Sequence, residues 1–279
     1  MTKVFTVAVV QFQPTPGEKE GNLDLALAWL AEAPPAPALV VLPEVFTAAG
    51  AYARYPEIAE PIPGPTVDRL AEAAAARSIV LCCGSLVERD GAALFNTTVL
   101  IGPTGTLLGK YRKVHLFNSY GSRERGVFQE GRSLTVVDTP LGRIGLAICY
   151  DLRFPEACRA LTAAGAEVLA VPSAWPYPRL EHWQILTRAR AVENQVYLAA
   201  ANFAGTVNGR RYLGNSVVVD PWGAVIANAG EDPGIAVARV DLARVRRLRQ
   251  EFPVMEDIRP AAYHVLTGAL SLEPSSVAT

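Results

Sequence analysis

The chain alternates short apolar runs with stretches patterned for helices, and that alternation is what most restricts the folds open to it. Strand-like runs recur at 5–10, 40–42, 79–86, 97–101, 143–148, 168–171, 197–201, 216–219 and 235–240, rich in Val, Ile, Leu and Ala. Between several of them lie helical signals. Asn22 is placed to cap a helix reaching about residue 33, Thr66 to cap one reaching about 77, and Pro155 occupies a favoured first-turn position. Residues 181–194 carry an apolar stripe at Trp183, Leu186, Ala189 and Ala191. Strands that alternate with helices predict an α/β fold.

Some neighbouring runs are joined too tightly for a helix. Gly102-Pro103-Thr104-Gly105, Thr139-Pro140-Leu141-Gly142 and Asp220-Pro221-Trp222-Gly223 are turn compositions, so antiparallel pairs must join the parallel ones and the sheets are expected to be mixed. With 279 residues and 50% hydrophobic content, the chain can bury a large core. The stretch Pro34-Pro35-Ala36-Pro37 is too short for a linker and reads as a loop. The expectation is a single domain over 1–279, with a C-terminal tail from about 253 that ends in loose Ser-rich residues.

Composition removes several classes of function. Lys and Arg number 26 against 27 Asp and Glu, a net charge of −1, which leaves no basic field to hold nucleic acid or an anionic membrane. The apolar stretch that leads into Gln11, Gln13 and Pro14 is too short to span a bilayer and does not read as a signal peptide. Four cysteines do not make a disulfide scaffold, and Cys82 and Cys83 adjoin within an apolar run, where strand geometry sends neighbours to opposite faces. A reducing, cytoplasmic compartment is therefore expected. The cysteines lack paired spacing and His115, His182 and His264 are scattered, so no metal is expected. A small molecule is the favoured partner.

Chemistry concentrates in three segments. Over 142–156 an apolar strand runs into a polar turn and then a helix opened by Pro155, which puts Cys149 at the carboxyl end of a strand. Ligands of open α/β sheets collect at such ends, beside outward-pointing backbone N–H groups; the alternative is a buried core cysteine. Over 38–44 a second apolar strand ends at Pro43 and Glu44, bringing a carboxylate to the same crevice or leaving it a solvated loop acid. Over 107–117, Lys110, Arg112 and Lys113 stand beside aromatic and apolar residues. Such a cluster alone would be a solvated basic edge.

In order, Pro43-Glu44, Tyr111-Arg112-Lys113-Val114-His115 and Ile148-Cys149-Tyr150-Asp151-Leu152-Arg153-Phe154-Pro155-Glu156 resemble the nitrilase superfamily of carbon-nitrogen hydrolases. The likeness continues through Pro172-Ser173-Ala174-Trp175, His182-Trp183, residues 188–194, residues 214–223 and Gln250-Glu251-Phe252-Pro253, and so covers nearly the whole chain. The resemblance implies a four-layer α-β-β-α sandwich with two mixed sheets, paired into a homodimer or a higher homo-oligomer, and a reaction that needs no cofactor. It implies a catalytic triad of Glu44, Lys113 and Cys149, with Glu124 as a second active-site glutamate. Glu130 competes for that last place, although it directly precedes the turn glycine Gly131. The His-Trp helix and the 250–253 ending are most similar to the omega-amidase and deaminated-glutathione amidase branch, whose substrates are amides that also bear a carboxylate. Trp175-Pro176-Tyr177-Pro178 departs from that branch.

These residue types suit amide hydrolysis. A free thiol, with a pKa of about 8.5, is only a few per cent thiolate at neutral pH and needs a base or cation beside it. In the implied scheme Glu44 is the base, Cys149 attacks, and Lys113 with the backbone N–H of Tyr150 holds the oxyanion. Ammonia leaves, and water activated by Glu44 hydrolyses the thioester on Cys149. Tyr150, Arg153, Trp175 and Tyr177 are the expected substrate-binding residues. Arg153 would grip a carboxylate through two parallel bonds or, alternatively, pair with Glu156 or Asp151. Arg179 reads as a solvated loop cation, Arg188 and Glu193 as structural. His182 offers a Cys–His alternative, the weaker idea because Glu and Lys already supply base and cation. Nitrile hydrolysis and carbamoyl removal use the same thiol and remain rivals, as does an inactive relative that binds a metabolite or protein.

Overall fold

The computed structural model describes residues 3–36, 38–119 and 123–263, with the backbone of 266–267 and 270–271. The final Ser-rich residues and His264 lie outside the described residues. Two mixed sheets form the centre. The first runs β15 (Gly234–Asp241), β1 (Val4–Gln11), β2 (Ala38–Val41), β3 (Val80–Cys82), β5 (Ala93–Ile101), β4 (Leu86–Asp90), with β6 (Leu107–Arg112) also paired to β5. Within it β1, β2 and β3 are parallel and the other pairs antiparallel. The second runs β14 (Val225–Asn228), β13 (Val217–Val219), β10 (Tyr197–Ala201), β9 (Val168–Pro172), β8 (Gly142–Leu146), β7 (Thr135–Thr139), parallel through β8, β9 and β10. A small hairpin pairs β11 (Thr206–Val207) with β12 (Arg210–Arg211).

The pleat of the parallel strands sorts their side chains between two cores. Val7 and Val9 of β1, Leu39 and Val41 of β2, and Val80 and Cys82 of β3 pack with Ile144, Leu146 and Leu198 of the other sheet. Their neighbours Ala8, Val10, Val40, Leu81 and Cys83 face away, against Leu23, Ala26 and Leu30 of α1 (Lys19–Glu32) and Val67, Leu70 and Ala74 of α3 (Pro65–Arg77). The adjacent cysteines thus sit in different cores. On the far side of the second sheet lie Cys158 and Leu161 of α4 (Pro155–Ala163) and Trp183 and Ala191 of α5 (Leu180–Asn194). The layers are α-β-β-α. The short α2 (Tyr55–Ile58) and α6 (Leu242–Glu251) complete the α-helices of the described residues, none of which is long and apolar enough to cross a membrane.

Local signals were partly overridden. Asn22 is no cap: it lies inside α1, where its side chain accepts from Thr15 N (2.7 Å) and donates to Thr15 O (2.7 Å), tying the helix to the loop before it. Thr66 is no cap either, because Pro65 already occupies the first turn and Gly64 is the capping position. The run 79–86 breaks into β3 and β4 at Gly84 (φ +66°), where a Cβ would stand 2.0 Å from the Pro43 carbonyl oxygen. On α5 the buried face is Trp183, Thr187, Arg190, Ala191 and Asn194, while Leu186 and Ala189 are only half-buried. Arg190 tolerates that face because Leu152 O (2.8 Å) and Glu193 Oε1 (2.8 Å) accept its hydrogens.

Candidate active site

Strand ends from both sheets converge on one small volume. Glu44 follows β2 directly after Pro43, and its N–H donates to Ser173 O (3.2 Å) just beyond β9 of the opposite sheet. The next residue, Val45, has φ +44° and donates its N–H to Ser85 Oγ (2.9 Å), so the loop past Gly84 pins the turn that carries Glu44. Lys113 immediately follows β6 and stays in register through Lys113 N→Asn96 O and Gly131 N→Lys113 O, both 2.8 Å. Glu124 opens a one-turn 3-10 helix, Glu124–Gly126, and is buried.

Cys149 begins another such turn, Cys149–Arg153, after β8, with φ +44°. Non-glycine residues rarely adopt that conformation, and it persists only where the surroundings over-determine it. Here they do. Asp151, fully buried, accepts from Ile148 N (2.8 Å) and Tyr111 Oη (2.8 Å) through Oδ2, and meets the His115 ring Nδ1 (2.7 Å) through Oδ1. The His115 ring stacks on Phe154 at 3.7 Å between centroids. The thiol is thereby presented at a fixed turn between strand and helix.

The side chains close into one hydrogen-bonded cluster. Lys113 Nζ donates to Glu44 Oε1 (2.7 Å) and to both oxygens of Glu124 (3.0 and 2.9 Å). Asn96 Nδ2 donates to Glu44 Oε1 (2.9 Å) and Glu124 Oε1 (3.2 Å), and Phe117 N donates to Glu124 Oε2 (2.6 Å). The Cys149 thiol lines the same cleft as Glu44, Lys113 and Ala174, near enough for the Glu44 carboxylate and the Ala174 backbone N–H to act on its ionisation. Burial pushes the Cys149 thiol well up from its ordinary value, the Glu44 carboxylate adds to that, and Lys113 opposes it. Burial would lower Lys113, but the carboxylates of Glu124 and Glu44 outweigh it and hold the ammonium well above its usual range. Burial also raises Glu124, against the pull of Lys113 and with the push of Glu44. A resting thiol beside a carboxylate acceptor and a fixed cation is the arrangement a thiol nucleophile needs.

Glu44, Lys113, Glu124 and Cys149 line the wall of one open cleft. Tyr150, Arg153 and Trp175, expected to bind substrate, line it with Arg179, Arg210 and Tyr212. Arg153 is paired with neither Glu156 nor Asp151: its guanidinium lies 4.8 Å over the Trp175 ring, with Nη2 3.1 Å from His182 Nδ1. Arg179, expected in solvent, lies over the Phe117 ring at 5.2 Å in the cleft wall. Tyr177 is absent from that wall; its hydroxyl donates to Glu231 Oε1 (3.0 Å) and Arg211 covers its ring. His182 is exposed and does not line the cleft; Glu130 is likewise exposed and outside the lining, and the ion-pair partners of Lys113 are Glu44 and Glu124. Asn96, Tyr111 and Asp151 were not singled out for the site from sequence; only their partners, distant along the chain, reveal them.

Comparison with known proteins gives one answer. The sequence model described as carbon-nitrogen hydrolase matches residues 6–250. Human omega-amidase NIT2 is 38% identical over 269 residues, covering 94% of this chain and 97% of the relative. Nit3 of Saccharomyces cerevisiae, described as a member of branch 10 of the nitrilase superfamily, superposes with a TM-score of 0.84 at 32% identity, over 94% of this chain and 97% of that one. A mutant amidase from Nesterenkonia sp. AN1, with the acetamide moiety of fluoroacetamide added covalently at its active site cysteine, superposes at 0.76 with 30% identity, over 88% and 96%.

Proposed function

Because the chain belongs to the carbon-nitrogen hydrolase family, we propose that it hydrolyses the amide of a small, carboxylate-bearing molecule and releases ammonia through a thioester on Cys149. The observation that carries this reading is the buried cluster in which one ammonium, Lys113, spans Glu44 and Glu124 in the wall of the cleft that the Cys149 thiol also lines. The thiol proton passes to Glu44 as Sγ bonds to the carbonyl carbon. Lys113 and the N–H of Tyr150 take the charge that develops on the oxygen. The C–N bond breaks, the proton held by Glu44 leaves with the amine as ammonia, and an acyl thioester remains. Water then gives a proton to Glu44 and its oxygen to the thioester carbon. The C–S bond breaks, the thiol regains its proton, and the acid departs.

Glu124 keeps the Lys113 ammonium oriented through two hydrogen bonds. Arg153 and Arg179 on the cleft wall supply cations for a substrate carboxylate, and the covalent adduct in the Nesterenkonia amidase and the activity of the omega-amidases support the same chemistry. The test is ammonia release from monoamides of dicarboxylates, deaminated glutathione, simple aliphatic amides, carbamoyl compounds and nitriles, with Cys149→Ala alongside. Release by wild type alone, greatest for carboxylate-bearing amides, is expected. Turnover by Cys149→Ala would sink the covalent scheme, and a preference for nitriles or carbamoyl compounds would replace the substrate class.

A further inference from the structure

Asn96 lies on β5, fully buried and outside the cleft lining, yet it joins both active-site carboxylates. Its Nδ2 reaches Glu44 Oε1 at 2.9 Å and Glu124 Oε1 at 3.2 Å, the same two atoms that Lys113 Nζ reaches at 2.7 and 3.0 Å. With acceptors only on that side, the amide must present its NH2 group there; its Oδ1 has no hydrogen-bond partner in the described structure. A buried asparagine that leaves one atom unsatisfied in order to serve two carboxylates is placed for them and not for its own strand. An amide also donates at every pH without adding charge to a centre that already holds two carboxylates and one ammonium.

The consequence falls on Glu44. A carboxylate oxygen offers two lone pairs, and Lys113 and Asn96 occupy both of those on Oε1, which leaves Oε2 for the thiol. We infer that Asn96 is a positioning residue: it clamps Glu44 beside Glu124 and reserves Oε2 as the oxygen that receives the Cys149 proton. This rests on Glu44 being the base for Cys149. The groups facing Glu44 are Lys113, Glu124, Cys149 and Asn96, with the hydroxyls of Tyr55 and Tyr212 near enough to feel its charge. Loss of the Asn96 donor leaves Glu44 held by Lys113 alone, with Oε2 no longer reserved for the thiol, so the thiol should give up its proton only at higher pH.

The experiment is the pH dependence of Cys149 alkylation by iodoacetamide, read by intact mass, in wild type, Asn96→Leu and Asn96→Asp, with thermal unfolding as the check on folding. No substrate enters, so an error in the proposed amide chemistry leaves the result interpretable. Asn96→Leu keeps the size and removes the donor; the acid limb of reactivity should move up by about 1–2 pH units, the value of one hydrogen bond to a charged acceptor. Asn96→Asp keeps the shape, adds a third carboxylate and should move the limb in the same direction, so it carries the test where the leucine variant does not fold. A folded variant whose acid limb coincides with that of wild type overturns the inference, because a merely structural asparagine would change stability without moving the limb.

Discussion

Two carboxylate clusters stand back to back across β5 and β6, and they use the same residue types to opposite ends. Successive strand residues point to opposite faces, so Thr97 serves one cluster and Asn96 the other, as do Arg112 and Lys113. On one side Glu88 receives Lys110 Nζ (2.7 Å), Arg112 Nε and Nη2 (2.8 and 2.7 Å) and Thr97 Oγ1 (2.6 Å). Burial acts to raise its carboxyl, but Arg112, Lys110 and Thr97 together bring it down to about 2. On the other side one ammonium serves two carboxylates and a thiol, and both Glu124 and Cys149 are pushed up. The ratio of cations to carboxylates, not the kind of residue, separates a cluster that holds the sheet from one that, in the proposed reaction, passes a proton.

The largest expected effect comes from removing the single cation of the second cluster. Lys113→Met should lower kcat/KM by 10²-fold or more, on the order reported for loss of a preorganised oxyanion donor. It should also cost about 3–5 kcal/mol of stability by leaving Glu44 and Glu124 buried without their counterion; an unchanged urea midpoint would mean the carboxylates already share a proton. Glu88→Gln tests the other side. It should cost about 3 kcal/mol at pH 7, by the roughly 1.4 kcal/mol carried by each unit of displaced pKa, with kcat/KM of the folded enzyme kept. Because the Glu88 carboxyl is depressed in the folded state, its contribution is complete above the ordinary carboxylate pKa of about 4.3 and lost as pH falls toward 2. Urea midpoints at pH 5 and pH 3 should therefore converge in the variant relative to wild type; equal acid sensitivity would assign that loss elsewhere. The smallest effect is expected at His182, exposed beside Arg153: His182→Ala should keep kcat within about threefold, and an inactive variant would restore the Cys–His alternative.

The chemistry-bearing strand ends were legible in the sequence, since Glu44, Cys149 and the basic segment each follow an apolar run, and the opposed faces of Cys82 and Cys83 followed from strand geometry alone. Asn96 escaped because the run at 97–101 looked like a strand only from its first β-branched residue onward, whereas β5 begins at Ala93. Its meaning also depends on Glu44, 52 residues away. Asp151 was noted only as a partner for Arg153, while its actual partners, Tyr111 and His115, come from the other sheet's edge. Strand β7 carries too few buried residues to mark it by periodicity, whereas α6 shows a stripe of Leu242, Val245 and Leu248 behind the Asp241 cap that the sequence reading passed over. Gly84 could not reveal the break between β3 and β4, because the Pro43 carbonyl that forbids a side chain there arrives from another strand.

The left-handed backbone at Cys149 has a meaning for how such a chain ages in evolution. Glycine adopts φ +44° without steric strain, so selection for durability alone would favour glycine at position 149, trading the packing of a small side chain for a relaxed turn. On the proposed function, a thiol at that point sets reactivity above ease of folding. A descendant that gave up hydrolysis to become a binder would have every incentive to make that substitution first, while the Asp151 network beneath could persist as a relic of the turn it once held under strain.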